Sequence, residues 1–162
     1  WTYTGGSGGS SSGGSGGGGA VSGSVRSSSV PSWVEKAGTW TQDAEGTWSY
    51  TNNGVMYRNC WACVYNPYAN PQAGQRMYDW FWFDGNAKMY AGWLDWTDGN
   101  RYYLNPVHDG TYGAMLTGWK EIDGKWYYFN GTEGSGSMGA MLHDTTTPDG
   151  YEVDATGAWT GK

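Results

Sequence analysis

The sequence predicts an all-β chain: a solenoid of stacked β-hairpin repeats over residues 33–162, preceded by a disordered Gly/Ser-rich linker over residues 1–32. Three observations carry this. Of 162 residues, 28 are aromatic and 29 are glycine, while Leu, Ile, Val and Phe are scarce, which excludes an ordinary aliphatic core. Acidic-Gly pairs, the residues that tolerate the positive φ of tight hairpin turns, recur at Glu45-Gly46, Asp98-Gly99, Asp123-Gly124 and Asp149-Gly150. The segments after these turns are apolar on both faces, with Trp126 and Tyr128 against Tyr127 and Phe129, and Trp80 and Trp82 against Phe81 and Phe83. A lone hairpin covers neither face and is marginal in water, so successive hairpins must cover each other.

Residues 1–32 hold 11 Gly and 11 Ser. They have almost no side chain to bury against about 1–2 kcal/mol of backbone entropy per ordered residue, and they read as a tether. From Gly38 onward a unit recurs: GTWTQDAEGTWSYTN (38–52), a stretched copy from Trp61 to YDWFWFD (78–84), GWLDWTDGNRYYLN (92–105), GWKEIDGKWYYFN (118–130) and PDGYEVDATGAW (148–159). Each unit is strand, two-residue turn, strand. Glycine-rich returns ending in Met or an aromatic separate them: NNGVMY, GNAKMYAGW, GTYGAMLTGW and GSGSMGAML. No stretch beyond 32–36 carries a helical period with caps.

With GWKEIDGKWYYFN and these returns, the chain resembles the cell-wall-binding repeats of Gram-positive surface proteins, the group that includes choline-binding and glucan-binding repeats. The resemblance covers residues 38–162, with the GW, DGK and WYYFN elements in order. It implies a non-catalytic module, extracellular and cell-wall associated, that anchors a secreted parent protein. The chain begins at Trp1 with no secretory leader and reads as a C-terminal piece, with a catalytic or adhesin domain expected upstream.

In choline-binding members the ligand lies between hairpins in a cage of the GW tryptophan, the first aromatic of WYY and an aromatic of the next unit, often with a Met. Such a cage attracts a quaternary ammonium through ring quadrupoles. The resemblance carries this onto Trp119 and Trp126, closed by Met138 or Met141 and Tyr151, and onto Trp40 and Trp48 with Trp80, provided residues 62–77 loop out. Trp93 meets Arg101 where an aromatic belongs, and a guanidinium repels choline while still stacking on a sugar. Two disrupted middle pockets favour a carbohydrate ligand, with Asn105, Asp109, Asn130 and Asp123 as hydroxyl partners. Choline of teichoic acid is the alternative, and a stalk or dimerisation module that binds nothing small is a further one.

Other chemistries find little support. The net charge of −6 and singly scattered Lys and Arg offer no basic patch for nucleic acid, and no run of 18 apolar residues spans a membrane. Cys60 and Cys63 form a CxxC without further ligands in sequence; in an extended strand they face opposite ways and read as free thiols. No metal or cofactor is expected. His108 and His143 read as loop polarity, and the turn carboxylates as turn formers rather than a glycosidase pair.

Overall fold

The computed structural model describes residues 30–133, 135 and 137–162. The linker expectation lies outside these residues except for its last three positions. Among the described residues the chain is all-β, with eleven short strands in one three-stranded and four two-stranded antiparallel sheets, no closed barrel, and a single 3-10 turn at Pro71–Ala73.

The hairpins follow the predicted units except at two places: β3 lies in a segment expected as a return, and the last hairpin starts at Thr145, before the expected 148. Strand β1 (Thr39–Gln42) pairs with β2 (Trp48–Asn52), which also pairs with β3 (Val55–Met56). Strands β4 (Cys60–Tyr65) and β5 (Tyr78–Phe83) form the stretched unit, with residues 66–77 looping out between them. Then come β6 (Gly92–Asp95) with β7 (Arg101–Leu104), β8 (Gly118–Ile122) with β9 (Lys125–Phe129), and β10 (Thr145–Thr146) with β11 (Glu152–Val153).

Only one of the four predicted turns has two residues. Asp123 and Gly124 take φ 51° and 80°, joining Ile122 directly to Lys125. At Gly46, Gly99 and Gly150 only the glycine has positive φ, and its N–H bonds the carbonyl three residues back, so the loops are one residue longer. At Gly46 and Gly150 the cause lies just upstream. Asp43 Oδ1 accepts from the N–H groups of Glu45 and Thr47, which closes the longer loop and lowers the Asp43 pKa, chiefly through Thr47. Asp84, before the return GNAKMYAGW, and Asp154, within the last unit, make the same pair of bonds, and the Thr147 hydroxyl accepts from Tyr151 N–H in the last turn. A second two-residue turn, Asn53-Gly54 at φ 53° and 77°, lies inside a segment read from sequence as a return.

Returns attach to hairpins through methionine. Met89, Met115 and Met141 bridge Phe83, Leu104 and Phe129. Above each sits a glycine: a Cβ at Gly113, Gly139 or Gly157 would overlap the sulfur of Met89, Met115 or Met141 respectively. Gly-rich returns are thus the clearance for the preceding methionine.

The described residues divide into two compact units: 30–90 with Pro106–Ala114, and Ala91–Asn105 with Met115–Lys162. The first is built on buried Tyr50, Val64, Phe81, Phe83, Met89 and Ala114, the second on Ile122, Phe129 and Met141 with Trp93, Tyr103 and Tyr127 against them. Burial pushes the Tyr50 phenol up to about 12. Cys60 is half-buried and Cys63 buried, and no disulfide joins them.

One buried carboxylate sets a pH dependence. Asp79 is 8% exposed; desolvation raises its pKa to about 6 against the opposing pull of Arg76, whose Nη2 lies 3.0 Å away. A raised pKa means the folded state holds the proton more tightly than the unfolded chain, so the contribution is complete below the ordinary carboxylate value and lost as pH rises through about 6. Denaturant midpoints should fall between about pH 4 and 6, and Asp79→Asn should remove that component. Identical pH profiles for the two proteins would contradict it.

Candidate functional site

In the second unit, Trp119 on β8, Trp126 on β9, and Asp149, Tyr151 and Trp159 from the last unit surround an open cavity of about 360 Å³. The Trp119 ring meets Tyr128 at 5.2 Å and Tyr151 at 5.9 Å, and Tyr151 meets Trp159 at 6.0 Å, all edge to face. Such angles turn ring faces toward a shared space instead of stacking them on each other. Trp126, Tyr151 and Trp159 are 41%, 44% and 41% exposed, so much of their surface is open to a ligand. Trp159 is placed by its N–H bond to the Trp126 carbonyl, 2.8 Å.

Of the residues expected here, Trp119, Trp126 and Tyr151 come together, while Met138 and Met141 are buried at 3% and 8% and form no part of the cavity wall. Met141 is held by its bridge to Phe129 and packs into the core beneath Gly157. Trp159 and Asp149 take the walls instead. The sequence reading missed Trp159, which ends the last unit PDGYEVDATGAW; its resemblance to the Met or aromatic that ends each return is the signal that could have found it, and Asp149 shows in sequence only as a turn former.

In the first unit, Trp40 and Trp48 line a cavity of about 210 Å³ with Asn66, Tyr68, Phe81, Met89, His108, Gly110 and Tyr112. The two tryptophans lie diagonally across the hairpin, ring centroids 6.4 Å apart at 86°. Trp40 Nε1 donates to the Tyr65 carbonyl, 3.0 Å, and its ring meets Phe81 at 5.0 Å. The third wall is not Trp80, which sits opposite Cys63 in the register. Side chains alternate along β5, so the strand presents Phe81 to this side and Trp80 to the other.

The remaining walls come from two loops. Tyr68 reaches within 5.1 Å of the Trp48 ring, and His108 stacks on Tyr112 at 4.0 Å and 10°. Asn66 Nδ2 donates to the Gly110 carbonyl at 2.7 Å, pinning the loops together. His108 therefore lines a cavity, where the sequence reading gave it only loop polarity.

Trp93 stands apart. The Arg101 guanidinium lies 4.2 Å over its ring, and Arg101 Nε lies 3.2 Å from Asp95 Oδ1. Tyr103 and Tyr127 flank the same indole at 4.9 and 5.0 Å. A cation of the protein's own thus occupies the ring face that a ligand cation would use. Among the described residues no three His, Cys, Asp or Glu side chains gather as a metal would need.

The family model for the cell wall binding repeat matches residues 117–138, which include Trp119 and Trp126. No curated protein matches the chain. Among solved structures, CbpJ from Streptococcus pneumoniae is similar at 30% identity and a TM-score of 0.51 over 75% of this chain and 33% of its own. The choline binding domain of Spr1274 from Streptococcus pneumoniae is 32% identical over 50% of this chain and 83% of its own, with a TM-score of 0.39. A truncated alternansucrase from Leuconostoc mesenteroides shares the fold at 17% identity and a TM-score of 0.51, over 75% of this chain and 10% of its own. The chain spans about a third of the length of CbpJ.

Proposed function

The chain belongs to the cell-wall-binding repeat family of Gram-positive surface proteins, and from that premise we propose that it is a non-catalytic module that holds a secreted parent on the bacterial surface by binding choline groups of wall teichoic acid. The observation that carries this is the open cavity of Trp119, Trp126, Tyr151 and Trp159. Ring faces converge there on a space suited to a trimethylammonium group, which donates no hydrogen bond and is held by ring quadrupoles and apolar contact. The first-unit cavity of Trp40, Trp48 and Tyr68 is the second site. Successive hairpins stack as a solenoid in this reading, so that sites repeat along the module, and the part of the parent beyond this module, an enzyme or an adhesin, is what it delivers to the wall.

A glycan is the second reading, favoured by the first-unit cavity alone, where Asn66 and His108 stand beside the rings as sugar-binding residues do. Titration with choline and with soluble glucans, followed by tryptophan fluorescence, separates the two. Saturable change with choline at around millimolar concentration supports the first; change with glucan alone replaces it. No change with either leaves the module a stalk.

The same reading gives Arg101 a role. With Trp93 already covered by its own cation, the third aromatic cluster should bind no choline in the native chain. Arg101→Ala should uncover it between Tyr103 and Tyr127 and raise the binding stoichiometry by one weak site. Unchanged stoichiometry in a folded variant would show that Arg101 is not what closes that cluster.

A further inference from the structure

The second-unit cavity includes one formally charged residue in its wall, Asp149. Both its oxygens are tied down: Oδ2 accepts from Trp119 Nε1 at 2.8 Å, and Oδ1 accepts from the Thr147 hydroxyl at 2.5 Å. Thr147 is 3% exposed and its hydroxyl also accepts from Tyr151 N–H at 3.1 Å, so the carboxylate is anchored to the backbone segment that carries a ring of the cage. The bonds from Thr147 and then Trp119 lower the Asp149 pKa, which keeps it ionised through the neutral range. The first-unit cavity has no carboxylate in its wall; beside the aromatic rings, its polar side chains are Asn66 and His108.

Aromatic walls already prefer a trimethylammonium group to a neutral tert-butyl group of the same shape through ring quadrupoles, while both bury similar apolar surface. An anion fixed at the edge of the cage acts on the charge only. It attracts the cation directly, and its hydrogen bond to the Trp119 N–H places negative charge at the rim of a ring whose face already favours cations.

We propose that Asp149 is a specificity-determining residue of the second-unit cavity, adding to the rings' own preference for a cationic quaternary ammonium over its neutral isostere. This rests on the reading of that cavity as a choline site. An exposed charge pair supports about a two- to fivefold effect, reduced by salt.

The test is titration of the whole chain and of Asp149→Asn with choline and with 3,3-dimethylbutan-1-ol, followed at the indole N–H resonances of Trp119 and Trp126. Asparagine keeps an acceptor for the cage and removes the charge. The expected result is a wild-type preference for choline that shrinks by about two- to fivefold in the variant, through weaker choline binding with the alcohol unaffected, and a wild-type preference that fades with added salt. Equal weakening of both ligands, or no change in either, overturns the proposal, the first because Asp149 would then only position the rings. A wild-type chain that binds both equally also overturns it. If neither ligand moves these resonances, the choline reading of the cavity fails, and the proposal falls with it.

Discussion

Trp126→Ala and Trp119→Ala should each weaken choline binding at the second-unit cavity by roughly thirtyfold, about 2 kcal/mol, the upper range of a cation–π contact together with lost apolar wall. Their effects on folding should differ. Trp126 is 41% exposed, whereas Trp119 is half-buried, packs on Tyr128 and Tyr151 and donates to Asp149. Trp126→Ala should therefore keep the fold close to native stability, and Trp119→Ala should destabilise the second unit as well. A polymer carrying many choline groups converts later contacts into intramolecular ones, so a site lost from the module lowers wall retention by more than its single-site affinity conveys. Isothermal titration, thermal unfolding and a wall pull-down on both variants check this. Loss of folding without selective loss of binding in Trp126→Ala would show the ring to be packing only.

The second large effect concerns stability. Gly139→Ala and Gly157→Ala should each destabilise the second unit by about 2–5 kcal/mol, summing roughly 1–2 for an L-residue in the left-handed region with about 1–3 for overpacking. Both glycines have positive φ, 88° and 86°, and both lie where a Cβ would overlap a methionine sulfur, Met115 for Gly139 and Met141 for Gly157. Gly150 separates the two causes: its φ is 94° but a Cβ there meets nothing within 4 Å. Gly150→Ala should lose only the backbone part. Equal losses at Gly150 and Gly157 in thermal melts would mean that the methionine contact costs nothing.

Much of the hairpin framework was legible because its signals are local. Acidic-Gly pairs mark positions that need positive φ, and two-residue alternation assigns the faces of β5 and β9. The limit of that reading is visible at Asp43 and Thr147. Their side chains capture N–H groups two and four residues on, or four on, and this adds a residue to turns that the Gly alone would not distinguish. Asn53-Gly54 carried as strong a turn signal as any, but the repeat pattern had absorbed it into a return. In the stretched unit the sequence indicates a loop over 62–77, but residues 62–65 continue β4 against β5, so only 66–77 loop out, and their path was not legible.

By itself, then, the sequence determined the strands, most turn positions, the pairing of Trp40 with Trp48 and of Trp119 with Trp126 across their hairpins, and the intrusion of Arg101 at Trp93. The strands and turns follow from backbone dihedral preferences and from the period of a strand, which act within a few residues; the tryptophan pairs and the place of Arg101 follow from the resemblance to cell-wall-binding repeats. Tertiary structure decided what closes each cavity: Trp159 and Asp149 in place of Met138 and Met141, and Phe81, Tyr68 and Tyr112 in place of Trp80. The physical reason is that a closing wall is chosen by contacts distant in sequence. Met141 is drawn into the core because its bridge to Phe129 and the bare backbone of Gly157 leave it room there, and Tyr68 stands at the cavity because Asn66 binds the Gly110 carbonyl 44 residues away.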